Sequence, residues 1–231
     1  MLWRHVAALL WPARCAGCNA FVPEGVSFCP SCEVSIVSLG VCCPGCAMPV
    51  DAFGACQGCQ KMPLPFARAQ AALAYGGALA QALLRWKHGG QRHVARSLAG
   101  YLAPLLARAA DQGAEIACPV PLHPRRLRDR GFNQALDLLR AARPRVASIA
   151  IACDALARTV DTPSLGHGTP AQRRRIVANA FAVARPGKIE GKHVLLVDDV
   201  MTTGATLAEC SRVLLEAGAK EVAVTVLARA I

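Results

Sequence analysis

The stretch Val194-Leu195-Leu196-Val197-Asp198-Asp199-Val200-Met201-Thr202-Thr203-Gly204-Ala205-Thr206-Leu207 limits what this chain can fold into more than any other. Four consecutive Val and Leu residues fit a strand covered on both faces, as in a parallel sheet, and they run straight into two carboxylates. Small hydroxyl residues, a glycine and a helical pattern follow. The order strand, tight turn, helix start puts the acid pair at the carboxyl end of a strand. The turn can aim successive backbone N–H groups and hydroxyls at one point, and the partial positive charge of the helix start helps to hold an anion there. Asp198 and Asp199 repel a phosphate and suit sugar hydroxyls, or a magnesium ion beside them. A Walker-type nucleotide site is excluded for want of its cradle. Gly187-Lys188 is followed by Ile189 and Gly191-Lys192 by His193, not by Ser or Thr.

A second pattern lies near the start. Cys15-x-x-Cys18 and Cys29-x-x-Cys32 form one set, and Cys43-x-x-Cys46 and Cys56-x-x-Cys59 a near-repeat of it. Each pair sets two sulfurs about one zinc coordination edge apart, and the spacer returns the second pair to complete a tetrahedron. Gly17, Pro30, Pro44, Gly45 and Gly58 supply the tight turns. The repetition favours two structural Zn²⁺ sites over free thiols. It leaves open whether Cys42 or Cys43 is the ligand, and whether ligands exchange between sets. A short segment with little apolar content needs the metal to fold.

Length and charge divide the chain. Its 231 residues suit a small module over 1–66 and one larger domain over 67–231. A hydrophobic content of 54% with 5% aromatics suits an Ala/Leu/Val-packed α/β core, here a mostly parallel sheet flanked by helices. Residues 1–66 hold three basic and three acidic side chains, so the whole surplus of +11 lies in the larger domain. Bound zinc turns the N-terminal module acidic, which favours a structural or protein-docking role for it over nucleic-acid contact. Residues 1–12 read as an amphipathic lead-in helix, since their apolar core is shorter than that of a signal peptide; a cytoplasmic location is expected.

Within the larger domain, Ala69–Tyr75 reads as a strand and Gly77–Trp86 as a helix with Leu79, Leu83 and Trp86 on one face. A loop is expected at Lys87-His88-Gly89-Gly90, although such a sequence alone is more often a helix C-terminal cap. A helix over Arg92–Arg108 and a short strand over Ile116–Pro121 follow. Next comes Leu122-His123-Pro124-Arg125-Arg126-Leu127-Arg128-Asp129-Arg130-Gly131-Phe132-Asn133-Gln134, read as a loop whose arginines repel one another unless an anion joins them. Arg173, Arg174 and Arg175 form a second basic run, and Gly166-His167-Gly168 a loop. Strands over Ala180–Ala184 and Val222–Leu227 frame the central motif, whose helix buries Leu207, Val213, Leu214 and Leu215 and ends at Gly218.

Val197 to Thr206 resembles the phosphoribosyl pyrophosphate (PRPP) loop of type I phosphoribosyltransferases. The resemblance implies that Asp198 and Asp199, the catalytic candidates, hold the ribose hydroxyls with Mg²⁺ nearby. By the same resemblance Thr202, Thr203, Gly204, Ala205 and Thr206 take the 5′-phosphate, and Lys87 takes the pyrophosphate. Pro119-Val120-Pro121 with Arg130-Gly131-Phe132-Asn133-Gln134, together with the double cysteine module, is similar to the ComF family of competence-associated proteins. That family joins a zinc module to a phosphoribosyltransferase-type domain. The segment between Arg158 and Phe181 departs from its pattern, so no role is carried over there.

Two functions follow, from different classes. The ComF resemblance implies a protein of DNA uptake that binds single-stranded DNA, beside a helicase-like motor. Residues 85–175, with sixteen basic and six acidic side chains, suit a phosphate backbone, and Arg125, Arg126, Arg128, Arg130, Asn133, Gln134 and Arg173–Arg175 are the anion candidates. Trp86, Phe132 and Phe181 are the only evident stacking aromatics. The alternative is an active phosphoribosyltransferase acting on a nitrogen acceptor, and no acceptor pocket is identifiable. A purely structural adaptor docked through the cysteine module is a third reading.

Overall fold

The computed structural model describes residues 12–50, 56, 58–59, 63–145, 149–162 and 169–231. The lead-in segment 1–11, residues 60–62 and the Gly166–Gly168 loop lie outside them. Five parallel strands form the central sheet, in the order β1 (Arg68–Ala74), β7 (Glu221–Arg229), β6 (His193–Met201), β2 (Ile116–Pro119) and β3 (Ala150–Ile151). A separate antiparallel pair joins β4 (Leu156–Arg158) to β5 (Phe181–Val183). The expected α/β architecture is present.

The central strand is covered on both faces, as its composition requires. Val194, Leu195, Leu196 and Val197 are all buried, and the period of two sends alternate residues to opposite cores. After the single-turn α1 (Pro30–Glu33) come α2 (Gly77–Gly89), α3 (His93–Asp111) and α5 (Gln134–Ala142), and Leu195 and Val197 join the cluster built on these last three. Val194 and Leu196 join the cluster of Val222, Val224, Val226 and α7 (Ala205–Glu216). In α7 the buried positions are Leu207, Cys210, Ser211 and Leu214, while Val213 and Leu215 are half-buried. The helical period explains this difference from the expected stripe, since residues three and four apart share a face and 213–215 do not.

Two expected loops are helical. α2 continues through Lys87 and His88 to Gly89, and Gly90 closes it at φ +63°, so this stretch is a helix end with a left-handed cap. The arginine segment forms α4 (Pro124–Arg130), begun by Pro124 at its first turn and stopped by Gly131 at φ +80°.

The cysteine segments lie against this domain. Cys15, Ala16 and Phe28 pack with α2 and α3, and Cys43, Cys46 and Ala47 with the α7 side. Between them the chain runs antiparallel to β1: Leu39 N–H donates to Ala72 O at 3.1 Å and Ala74 N–H to Val37 O at 2.8 Å. The β1 edge of the sheet is thereby paired at residues 72–74, which shortens the stretch open to unwanted strand addition. No described helix is long and apolar enough to cross a membrane.

Candidate functional site

The eight paired cysteines form two groups, Cys15/Cys18/Cys29/Cys32 and Cys43/Cys46/Cys56/Cys59, each with its sulfurs within 4.8 Å of one another. Sγ separations of 3.6 Å (Cys18–Cys29), 3.7 Å (Cys43–Cys59) and 3.5 Å (Cys46–Cys56) match the edge of a tetrahedron with Zn–S bonds of about 2.3 Å. Sets do not mix, and Cys43 rather than Cys42 belongs to its group. Cys15 Sγ accepts the backbone N–H of Cys29 at 3.2 Å and of Cys18 at 3.5 Å. Burial opposes its ionisation, but these bonds bring its thiol down to about 6. Burial and the neighbouring thiols push Cys32 up to about 12. One thiolate thus forms at the expense of another, and a bound cation would relieve both. Gly17 fits the same design, since a Cβ there would stand 2.7 Å from Cys32 Sγ. These donor sets fit structural Zn²⁺.

At the carboxyl end of β6 the acid pair splits. Asp199 is almost buried, and its Oδ2 lies 2.5 Å from Lys87 Nζ at the end of α2. Burial lowers the lysine's pKa, but the charge and hydrogen bond of Asp199 together with the charge of Asp198 outweigh it and hold the ammonium above its ordinary range. Asp198 makes no ion pair among the described residues and accepts the Asp199 N–H at 2.8 Å. Burial, and then the Asp199 charge, push its carboxyl up to about 8.

The turn beyond is shaped for an anion. Gly204 sits at φ +77° immediately before α7. Among the described residues none of the N–H groups of Thr202, Thr203 and Gly204 donates to a protein acceptor. Thr203 Oγ1 accepts the Ala205 N–H at 3.4 Å, and Arg173 Nη1 donates to Thr202 Oγ1 at 2.7 Å. The cavity lined by Asp198 and residues 200–207 is about 20 Å³, room for about one water.

Sequence reasoning missed Arg229. This buried residue ends β7, and its Nε donates to Cys46 O at 2.9 Å. Nη1 donates to Met201 O at 3.0 Å, to Thr202 O and to Ala230 O at 2.6 Å. The available signal was an arginine closing the mostly apolar run Val222–Ala228.

The basic candidates separate into two kinds. Arg125 and Arg128 are exposed on α4, while Arg126 and Arg130 are less so. Arg126 donates to Thr162 O, and Asp161 lies 3.7–3.8 Å from His123, Arg125 and Arg126. Burial holds the Arg130 pKa below its ordinary range, and the Asp199 charge offsets only part of this. Arg173, Arg174 and Arg175 lie on α6 (Pro170–Val177), with Arg175 exposed.

Asn133 and Gln134 stand at the start of α5. Asn133 Oδ1 accepts the Leu136 N–H as cap of α5, its Nδ2 donates to Val120 O at 2.9 Å, and Gln134 is buried. The stacking aromatics are corrected outright. Trp86, Phe132 and Phe181 are all buried, and Trp86 stacks on Phe132 at 6.0 Å between centroids. None presents a face to a base.

Residues 6–60 match the double zinc ribbon domain and residues 164–231 the phosphoribosyl transferase domain. The chain is thus of the class that joins a double zinc ribbon to a phosphoribosyltransferase-type α/β domain. It is 32% identical to the DNA utilization protein YhgH of Salmonella typhimurium, over 99% of this chain and 95% of that one. It is also 32% identical to Competence protein F of Haemophilus influenzae, over 94% and 97%. This chain belongs to the ComF/YhgH family. Among solved structures it is similar to a Trypanosoma cruzi hypoxanthine phosphoribosyl transferase, at 17% identity and TM-score 0.40 over 60% of this chain and 66% of that one.

Proposed function

We propose that this chain is a cytoplasmic protein of DNA uptake that binds PRPP or a related phosphosugar with Mg²⁺ at the turn after β6, and single-stranded DNA on its arginine face. The observation that carries the first half is the set of undonated N–H groups of Thr202–Gly204 at the start of α7, beside the acid pair. Backbone donors at a helix start are suited to a phosphate. Asp198 and Asp199 offer oxygens to ribose hydroxyls or to a divalent cation, whose charge would offset the burial and the Asp199 repulsion that push the Asp198 carboxyl up. Binding requires two exchanges of partner, with Lys87 passing from Asp199 to the pyrophosphate and Arg173 from Thr202 to the 5′-phosphate.

The names of the relatives support the second half, since one is a DNA utilization protein and another a competence protein. With the three aromatics inside the core, DNA binding rests on charge, from Arg125, Arg128 and Arg173–Arg175. Such binding is independent of sequence and steep in salt. The ribbon, with few basic residues, serves as support and as the side on which a helicase-like motor docks.

Fluorescence anisotropy of a labelled oligonucleotide tests this. Affinity should fall with a log–log salt slope of about −0.7 per phosphate contacted, and a nearly salt-independent affinity would refute it. The alternative, an active transferase, draws on the same acid pair, which would stabilise positive charge developing at C1′ as pyrophosphate leaves. Release of pyrophosphate from PRPP in the presence of candidate amines reads that activity.

A further inference from the structure

We infer that Arg229 is a positioning residue that couples the second four-cysteine group to the turn after β6, so that the metal state of the ribbon sets the order of that turn. The relation to phosphate rests on the reading proposed above; the coupling itself does not.

The guanidinium stands between two parts of the chain that are otherwise far apart in sequence. On one side Nε holds the carbonyl of Cys46, itself a member of the Cys43/Cys46/Cys56/Cys59 group. On the other side Nη1 gathers the carbonyls of Met201, Thr202 and Ala230. Arginine is suited to this because its donors are fixed in one plane, so that a shift of any acceptor is felt by the rest. At 7% exposure the group has no water to replace a lost partner, and an unpaired buried donor is costly.

A second contact runs in parallel. Leu64, just beyond the cysteine segment, lies 3.7 Å from where a Cβ of Gly204 would stand. The back of the turn therefore rests on the ribbon side of the molecule. Orienting the carbonyls of Met201 and Thr202 through Arg229 also orients the N–H groups of the next residues, Thr202 and Thr203, because each carbonyl and the following N–H share one plane. Loss of the metal frees Cys46 to move, and Arg229 transmits the movement to the peptides that form the turn.

Hydrogen exchange on the full chain tests the coupling without any ligand. Relative to the wild type, Cys56→Ser/Cys59→Ser, which empties the second group and leaves the first, should speed exchange of the two amides that donate into the turn, Ala230 to Met201 O and Ala208 to Gly204 O, about tenfold. The Leu195 and Leu196 amides should stay slow. Arg229→Met should show the fast turn with zinc bound, and combining it with the cysteine changes should add little. An unchanged turn in the cysteine variant overturns the inference. So does a fully additive effect, or a rise shared equally by Leu195 and Leu196, which would make zinc a support of the whole fold. If the exchange pattern is as expected but PRPP fails to bind in every form, the coupling stands and the phosphate reading falls.

Discussion

Lys87 Nζ lies 2.5 Å from Asp199 Oδ2, joining the last turn of α2 to the carboxyl end of β6. Both are mostly shielded, with side-chain exposures of 26% and 10%. Replacing the lysine leaves a carboxylate almost buried without its cation, which costs about 3 kcal/mol or more in fully buried pairs and less here. Lys87→Met should lower the melting temperature by a few degrees, about 2–4 °C per kcal/mol for a chain of this size, and weaken PRPP binding as well. A variant that melts with the wild type and binds PRPP equally well would remove Lys87 from the site.

Asp198 gives stability a pH dependence of unusual sign. Its carboxyl goes from an ordinary 3.8 to about 8 on folding, so the native state binds this proton more tightly than the unfolded chain. The contribution is complete below the ordinary value and is lost as pH rises through about 8. Thermal melts from about pH 5 to about pH 9 should show Asp198→Asn gaining on the wild type as pH increases. Parallel curves would contradict the assignment.

The arginine face should act through charge alone. Arg125→Ala/Arg128→Ala should weaken oligonucleotide binding uniformly across sequences and flatten the salt slope by about 1–2. A change in sequence preference with no change in slope would point to base contacts that the buried aromatics do not provide.

Metal analysis should find two zinc ions per chain, one for each cysteine group. Gly17→Ala, which sets a Cβ 2.7 Å from Cys32 Sγ and 2.9 Å from Ala78 Cβ, should lose the first ion selectively and leave the second. Loss of neither ion, read by mass spectrometry under native conditions, would count against the first group as a closed tetrahedron.

Much of this was legible in the chain because it rests on local pattern. The apolar run 194–197, the acid pair and the spacing of the cysteine pairs depend on near neighbours, and all stand where their periodicity placed them. The misreadings came from residues whose role is decided at a distance. Gly131 and Asn133 read as part of one continuous loop, yet one ends α4 and the other caps α5. Phe132 between them is drawn into the core to stack on Trp86. Arg229 is 183 residues from Cys46 in sequence, so only the fold could show that they meet.

Isothermal titration of the zinc-loaded chain with PRPP and Mg²⁺ tests the central claim most directly, because it reads binding at the acid pair and the turn rather than their part in stability. The wild type should bind at one site per chain, and Asp198→Asn/Asp199→Asn should lose at least about tenfold in affinity, the loss of about one charge-assisted contact. Absence of binding by the wild type at two temperatures, or equal binding by the variant, would contradict it.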